Sequence, residues 1–272
     1  MGGVNILNIK DGFNIIDAQL NLRMIVKALQ KAIGSNTREY LINNNTDTNN
    51  AIILLRGDFI NTNLRNMFAG CEDIVLKRFK RCAWTGRLLI DRKHKIVITI
   101  SSKSTLHRVK NVNRRKSLHY AQSMCHVLNG DLEAPHKQIS IADLDGFDID
   151  PPFSEEAYEA DFENIVDAAI SQGEGYRYCP ITYEADGFEL KSVSIMLLDK
   201  DLDIVQEISL MNLLEPDFGN LTDPVAKIEE APQKKDAHSL VKIKAGLKSK
   251  KTNEPGKKIE IATKSEEVEK WA

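Results

Sequence analysis

Residues 76–103 read LKRFKRCAWTGRLLIDRKHKIVITISSK. Two runs within them, GRLLID (86–91) and KIVITIS (95–101), are apolar or β-branched and are joined by a short basic turn, which is the pattern of a β-hairpin. The fold class turns on this stretch, because the apolar positions on both sides of it follow helical spacing. Upstream, Ile16, Leu20, Ile25, Leu29 and Ile33 recur near the helical period and Gly34 follows, predicting a helix over about 14–33. The tract NTREYLINNNTDTNN (36–50) reads as a loop, AIILLR (51–56) as a short buried strand, and Asp58 or Thr62 as the cap of a helix through Phe68.

Downstream, Val112, Leu118, Ala121, Met124, Val127 and Leu128 suggest an amphipathic helix that Gly130 ends. Pro151–Pro152 forbids a regular element, and Ser154 followed by Glu155 and Glu156 makes an acidic helix start, the helix running to about Ser171. Residues 176–211 hold three strand-like runs split at Asp186–Gly187 and at DKDLD (199–203), an antiparallel meander. From about 223 the chain repeats Lys, Glu, Ala, Ser and Pro with few large apolar residues, and disorder is expected. The class is therefore α+β: an N-terminal helix and β-hairpin unit, then a helix and an antiparallel β-meander, then a disordered C-terminal tail. The expected divisions are a basic unit over 1–130, an acidic unit over 131–222 that can pack with it as one domain, and the tail over 223–272.

The formal net charge of −2 conceals opposite local charges. Residues 77–119 hold 14 basic side chains and one acid, whereas residues 131–217 hold 4 basic and 22 acidic ones. Such block asymmetry points to nucleic-acid contact or to pairing between segments. Phosphates are neutralised by clustered Lys and Arg with release of counterions. The candidates are Lys77, Arg78, Lys80 and Arg81 on the approach to the hairpin, Arg92, Lys93 and Lys95 at its tip, and Arg108, Lys110, Arg114, Arg115 and Lys116 around the next helix. Read together they make one continuous nucleic-acid-binding face, with Phe79, Trp84 and Tyr120 placed to stack on bases. The competing reading seats the acidic half on this block and shields it.

The stretch also resembles, in outline, magnesium-dependent nucleases of the restriction-endonuclease type: an Asp on one strand, an acid-x-Lys on the next, then a helix. The resemblance implies that Asp91 ligates magnesium and Lys103 orients or deprotonates water. It covers about 13 residues and departs from the pattern at Ser101, which stands where the acid belongs. A hydroxyl is a poor magnesium ligand beside a carboxylate. A second acid-x-Lys, Glu189 to Lys191, reads as a solvent-facing strand.

His119 and His126, seven apart, lack the spacing that grips zinc, and no phosphate-binding loop, dinucleotide fingerprint or nucleophile elbow is present. Cys71, Cys82, Cys125 and Cys179 form no CxxC pair and read as reduced thiols. No apolar run is long enough for a bilayer, and the start MGGVNILNIKDG lacks a secretory pattern, so the expected setting is cytoplasmic with no membrane partner. The sequence thus predicts a non-enzymatic protein, without cofactor, that contacts nucleic acid or another anionic partner. The alternatives are a protein-interaction adaptor using the acidic meander edge, and the nuclease with its magnesium.

Overall fold

The computed structural model describes residues 19–44, 48–81, 84–111, 117–135 and 153–216. By its contacts residues 1–227 form one compact unit and residues 228–272 a second, and every described residue lies in the first. The fold is α+β. Helix α1 (Gln19–Lys31) passes through a wider π turn (Ala32–Asn36) into α2 (Thr37–Asn43), and α3 (Ile52–Met67) precedes three strands, β1 (Ile74–Arg81), β2 (Trp84–Asp91) and β3 (Ile96–Ile98). After β4 (Ile100–Ser102) come α4 (Lys103–Asn111), α5 (Tyr120–Leu128) and α6 (Glu155–Val166), then β5 (Arg177–Tyr178), β6 (Ile181–Asp186), β7 (Glu189–Leu198) and β8 (Ile204–Ser209).

The strands make two mixed sheets of four, ordered β1-β2-β3-β5 and β4-β6-β7-β8. Only Thr99 separates β3 from β4, and only Cys179 and Pro180 separate β5 from β6. The same parallel register runs across both joints, Ile96 opposite Arg177 and Ile100 opposite Ile181, with Ile181 N–H donating to Thr99 O at 2.8 Å. Two long strands therefore stitch the sheets together, and one of them comes from the basic half and the other from the acidic half.

One face of the sheets is covered by α1 and α3, which bury Ile25, Leu29 and Leu64 against Leu89, Ile181 and Ile195. The opposite face is covered by α4, α5 and α6, which bury Val109, Met124 and Phe162 against Leu88, Ile90 and Val97. Each such buried apolar side chain contributes roughly 2 kcal/mol, so neither layer is dispensable. Helices α5 and α6 have side-chain caps, whereas α3 starts at Ile52 without one and holds Asp58 and Thr62, expected as its cap, within its span. Ser154 Oγ accepts from Ala157 N–H at 3.3 Å, and at α5 the His119 ring accepts from Ala121 N–H at 3.2 Å while His119 N–H donates to Gln122 Oε1 at 3.0 Å.

Several expectations are corrected. AIILLR is the start of α3, not a strand; its buried positions Ile52, Ile60 and Leu64 keep a helical period that a six-residue window does not show. The Asn- and Thr-rich tract contributes α2, held by Thr37 Oγ1 donating to Ala32 O at 2.8 Å. LKRFKR is itself strand β1, fully paired with β2, so the hairpin has a third strand. Residues 103–111, which precede the helix expected from Val112, are a separate helix α4, started by Ser102 Oγ accepting from Thr105 N–H at 3.3 Å. The expected helix over 112–128 is seen from Tyr120, and residues 112–116 and the tail from 223 lie outside the described residues.

Candidate functional site

The two sheets part beside β2. Its pairing with β3 covers only Leu89–Ile98, Ile90–Val97 and Asp91–Ile96; past Thr99 the partner strand continues as β4, keeping its ladder to the β5–β6 strand but no longer pairing with β2. Among the described residues no ladder joins Trp84–Leu88 to Ile100–Ser102, so two strand edges face one another across a fork. The fork holds a cleft of about 360 Å³, walled by α3 through Gly57 and Asn61, by Thr85 and Arg87 of β2, and by Ile100 and Tyr183 of the other sheet. Asp58 is the one acidic side chain lining it among the described residues.

Positive charge gathers on the same side. Arg78 and Arg87 are direct cross-strand partners, which puts both on one face of the β1–β2 ladder, and Arg65 comes in from the last turn of α3. Burial, then the charges of Arg78 and Arg65, hold the Arg87 guanidinium below its ordinary pKa. Among the described residues none of the three makes an ion pair. Like charges placed directly opposite on a sheet destabilise it by up to about 1 kcal/mol, so this cluster is a cost that packing does not require.

Aromatic rings close one end of the cleft. Trp84 stacks on Tyr120 with centroids 5.7 Å apart and planes at 15°, and Phe79 meets both edge-on, at 5.5 Å and 5.2 Å. Gly86 lies beneath them: a Cβ there would fall 2.5 Å from Phe79 Cζ and 2.5 Å from Trp84 Cη2. Burial pushes the Tyr120 hydroxyl up to about 12, with Thr99 and Ser101 beside it tempering the rise. Trp84 remains 47% exposed, and Ile53 and Leu54 at the mouth are 78% and 74% exposed.

The structure does not gather the predicted basic residues on one face. Neighbouring strand residues point to opposite sides, so β1 sends Arg78 and Lys80 toward the arginine cluster and Lys77 and Arg81 to the other face. There Lys77 pairs with Asp167, and Arg81 with Asp161, whose carboxylate also accepts from Ser123 Oγ; Lys110 of α4 pairs with Asp203. Arg92, Lys93 and Lys95 sit at the β2–β3 turn, about 25 Å along the strand from Trp84 at 3.3 Å per residue, with the Lys95 ammonium 4.5 Å over the Tyr176 ring. Arg108 is exposed on α4, and Arg114, Arg115 and Lys116 lie outside the described residues. Arg65 and Arg87 lie outside the basic positions to which the sequence pattern points. Arg87 could have been found as the one cation inside an otherwise apolar strand, whereas Arg65 carries no signal without the packing of α3.

Asp91 and Lys103 are not brought together. Asp91 is 1% exposed and accepts from Asn21 Nδ2 at 2.7 Å and His94 N–H at 3.0 Å, with His94 Nδ1 at 2.7 Å. Lys103 opens α4, seven residues past Asp91's partner Ile96, or about 20 Å along that strand. Among the described residues no group of three His, Cys, Asp or Glu side chains is placed to hold a metal, magnesium included. His126 bonds Glu155 at 2.9 Å and stacks on Tyr158, Glu189 pairs with Lys191 at 2.8 Å, and Cys71, Cys125 and Cys179 are free. No helix of the described residues is long and apolar enough to cross a membrane.

A model for a family of unknown function (DUF5986) matches residues 16–261 of the chain. No curated protein and no solved structure matches it.

Proposed function

The chain belongs to the DUF5986 family, a family of unknown function. From its fold we propose that it binds nucleic acid, through phosphate contacts made by Arg65, Arg78 and Arg87 beside the sheet fork. The observation that carries this reading is the contrast between cations. Lys77, Arg81 and Lys110 are each neutralised by a carboxylate, while Arg87, which lines the cleft, is set against Arg78 and Arg65 with no ion pair to any of the three among the described residues. Guanidinium groups grip phosphate oxygens in a two-pronged fashion, which suits arginine to this task. Lys80, exposed on the same face of β1, extends the patch.

The reading is of a binding protein, not a nuclease. The strands that border the fork present Thr85, Arg87 and Ser101, hydroxyls and a cation in place of the carboxylates that magnesium requires. A cytoplasmic setting belongs to the same proposal, in keeping with the free thiols of Cys71, Cys125 and Cys179.

Anisotropy titrations of labelled DNA and RNA between about 50 and 200 mM salt test it, because phosphate contact makes log affinity fall linearly with log salt. The double variant Arg78→Gln/Arg87→Gln is expected to bind more weakly to every sequence and to flatten that slope by about 1.5, at 0.7–0.9 per phosphate lost. A slope unchanged by the substitutions, or no binding at all, rejects the assignment.

A further inference from the structure

We propose that the nucleic acid is single-stranded and that one unstacked base enters the fork to lie against Trp84, its two flanking phosphates held by Arg87 and Arg78. The inference rests on the nucleic-acid reading and narrows its ligand.

Four features of the fork converge on it. The first is the ring. One face of Trp84 is fixed by stacking on Tyr120 at 5.7 Å and by Phe79 edge-on, yet the side chain is 47% exposed, an indole held rigid with surface still open to a second flat group. A rigid aromatic loses little conformational freedom when a base stacks on it. The second is size. A cleft of about 360 Å³ falls in the range of small-ligand sites, which suits one base, whereas a duplex keeps its base faces inside the stack and has nothing to insert.

The third is the distribution of charge. Arg87 lines the cleft with Arg78 opposite it on β1, so that wall offers a phosphate its counter-charge, while the exposed Asp58 of α3 is the one acid lining the cleft among the described residues and disfavours a phosphate on the α3 side. The fourth is the backbone. Among the described residues the edges of β2 and β4 that face across the fork have no ladder partner, and bare strand edges supply N–H donors and C=O acceptors to the edge of a base. Ile53 and Leu54, 78% and 74% exposed at the mouth, would be covered by the same ligand.

The test uses the full chain carrying Trp271→Phe, which leaves Trp84 as its one tryptophan. Its emission and binding are followed on adding oligothymidylate, oligouridylate and a duplex of equal length at fixed salt. The expected result is quenching by the single strands and not by the duplex, and single-strand affinity at least tenfold the higher; the two oligomers separate DNA from RNA as the source. Trp84→Leu should weaken single-strand binding about tenfold and leave duplex binding unchanged, while Trp84→Phe, which preserves the stack, should bind within about threefold of the parent. Equal affinity for duplex and single strand, with Trp84 emission unmoved but a salt slope that Arg78→Gln/Arg87→Gln flattens, overturns the single-strand inference and leaves the phosphate reading standing. Absence of binding to all three nucleic acids overturns both.

Discussion

Asn129 shows how much one side chain can decide in this fold. Its amide donates to Tyr178 O at 2.9 Å and to Leu198 O at 2.7 Å and accepts from Tyr178 N–H at 3.0 Å, supplying a missing rung between β5 and the end of β7. The residue is fully buried, so removing the amide strands three backbone groups away from water. Asn129→Ala is expected to lower stability by about 3 kcal/mol, read as a shift of the urea midpoint with little change in its slope. In the sequence Asn129 is one residue before the glycine that ends a helix and reads as a helix terminus. That is correct for α5, which stops at Leu128, but nothing local points to partners 49 and 69 positions away.

Among elements, the β1–β2 hairpin carries the site because alternation divides its charges between two environments. The apolar runs were legible as strands, and so were the meander and the Ser154-capped helix α6, since each has a strong local period or a specific start signal. β1 was not legible, because four of its eight residues are Lys or Arg and mask its period of two. The hairpin also depends on the absence of a side chain at Gly86, over which Phe79 and Trp84 close. Gly86→Ala should cost about 1–3 kcal/mol by forcing both rings aside. Trp84, already half exposed, should then shift its emission to the red, a change that thermal melts and fluorescence on the same sample will register together.

At the scale of the molecule, the acidic segment does meet the basic one, but as part of a shared fold. The ion pairs Lys77–Asp167, Arg81–Asp161 and Lys110–Asp203 accompany a parallel ladder between β3/β4 and β5/β6, and salt screens the former without loosening the latter. Arg177 grips Asp131 with both guanidinium nitrogens, one of them at 2.7 Å, and this hydrogen bonding holds the Asp131 carboxyl below its ordinary 3.8; Lys77 does the same for Asp167. A carboxylate whose folded pKa is depressed contributes stability that is complete above its unfolded value and is lost as pH falls through the folded one. The melting temperature should therefore drop as pH is lowered from about 5 to about 2, and Arg177→Gln should show a smaller drop over that window than the parent protein in matched calorimetric scans. An identical acid profile for the two proteins would remove Asp131 from the account.

By itself the sequence determined the α+β class, the hairpin, the meander, the cap of α6 and the separation of charge between segments, because each is written in spacing or composition over a few residues. Tertiary structure alone decided which cations remain uncompensated. Lys77 and Arg81 are as basic as Arg78 and Arg87, and only the packing of α6 on one face of β1 and of α3 on the other sets carboxylates beside the first pair and like charges beside the second. The cleft between β2 and β4 has the same origin: the strand formed by β3 and β4 keeps its parallel partner some eighty positions later in the chain across Thr99 but loses β2 there, a relation no local pattern records.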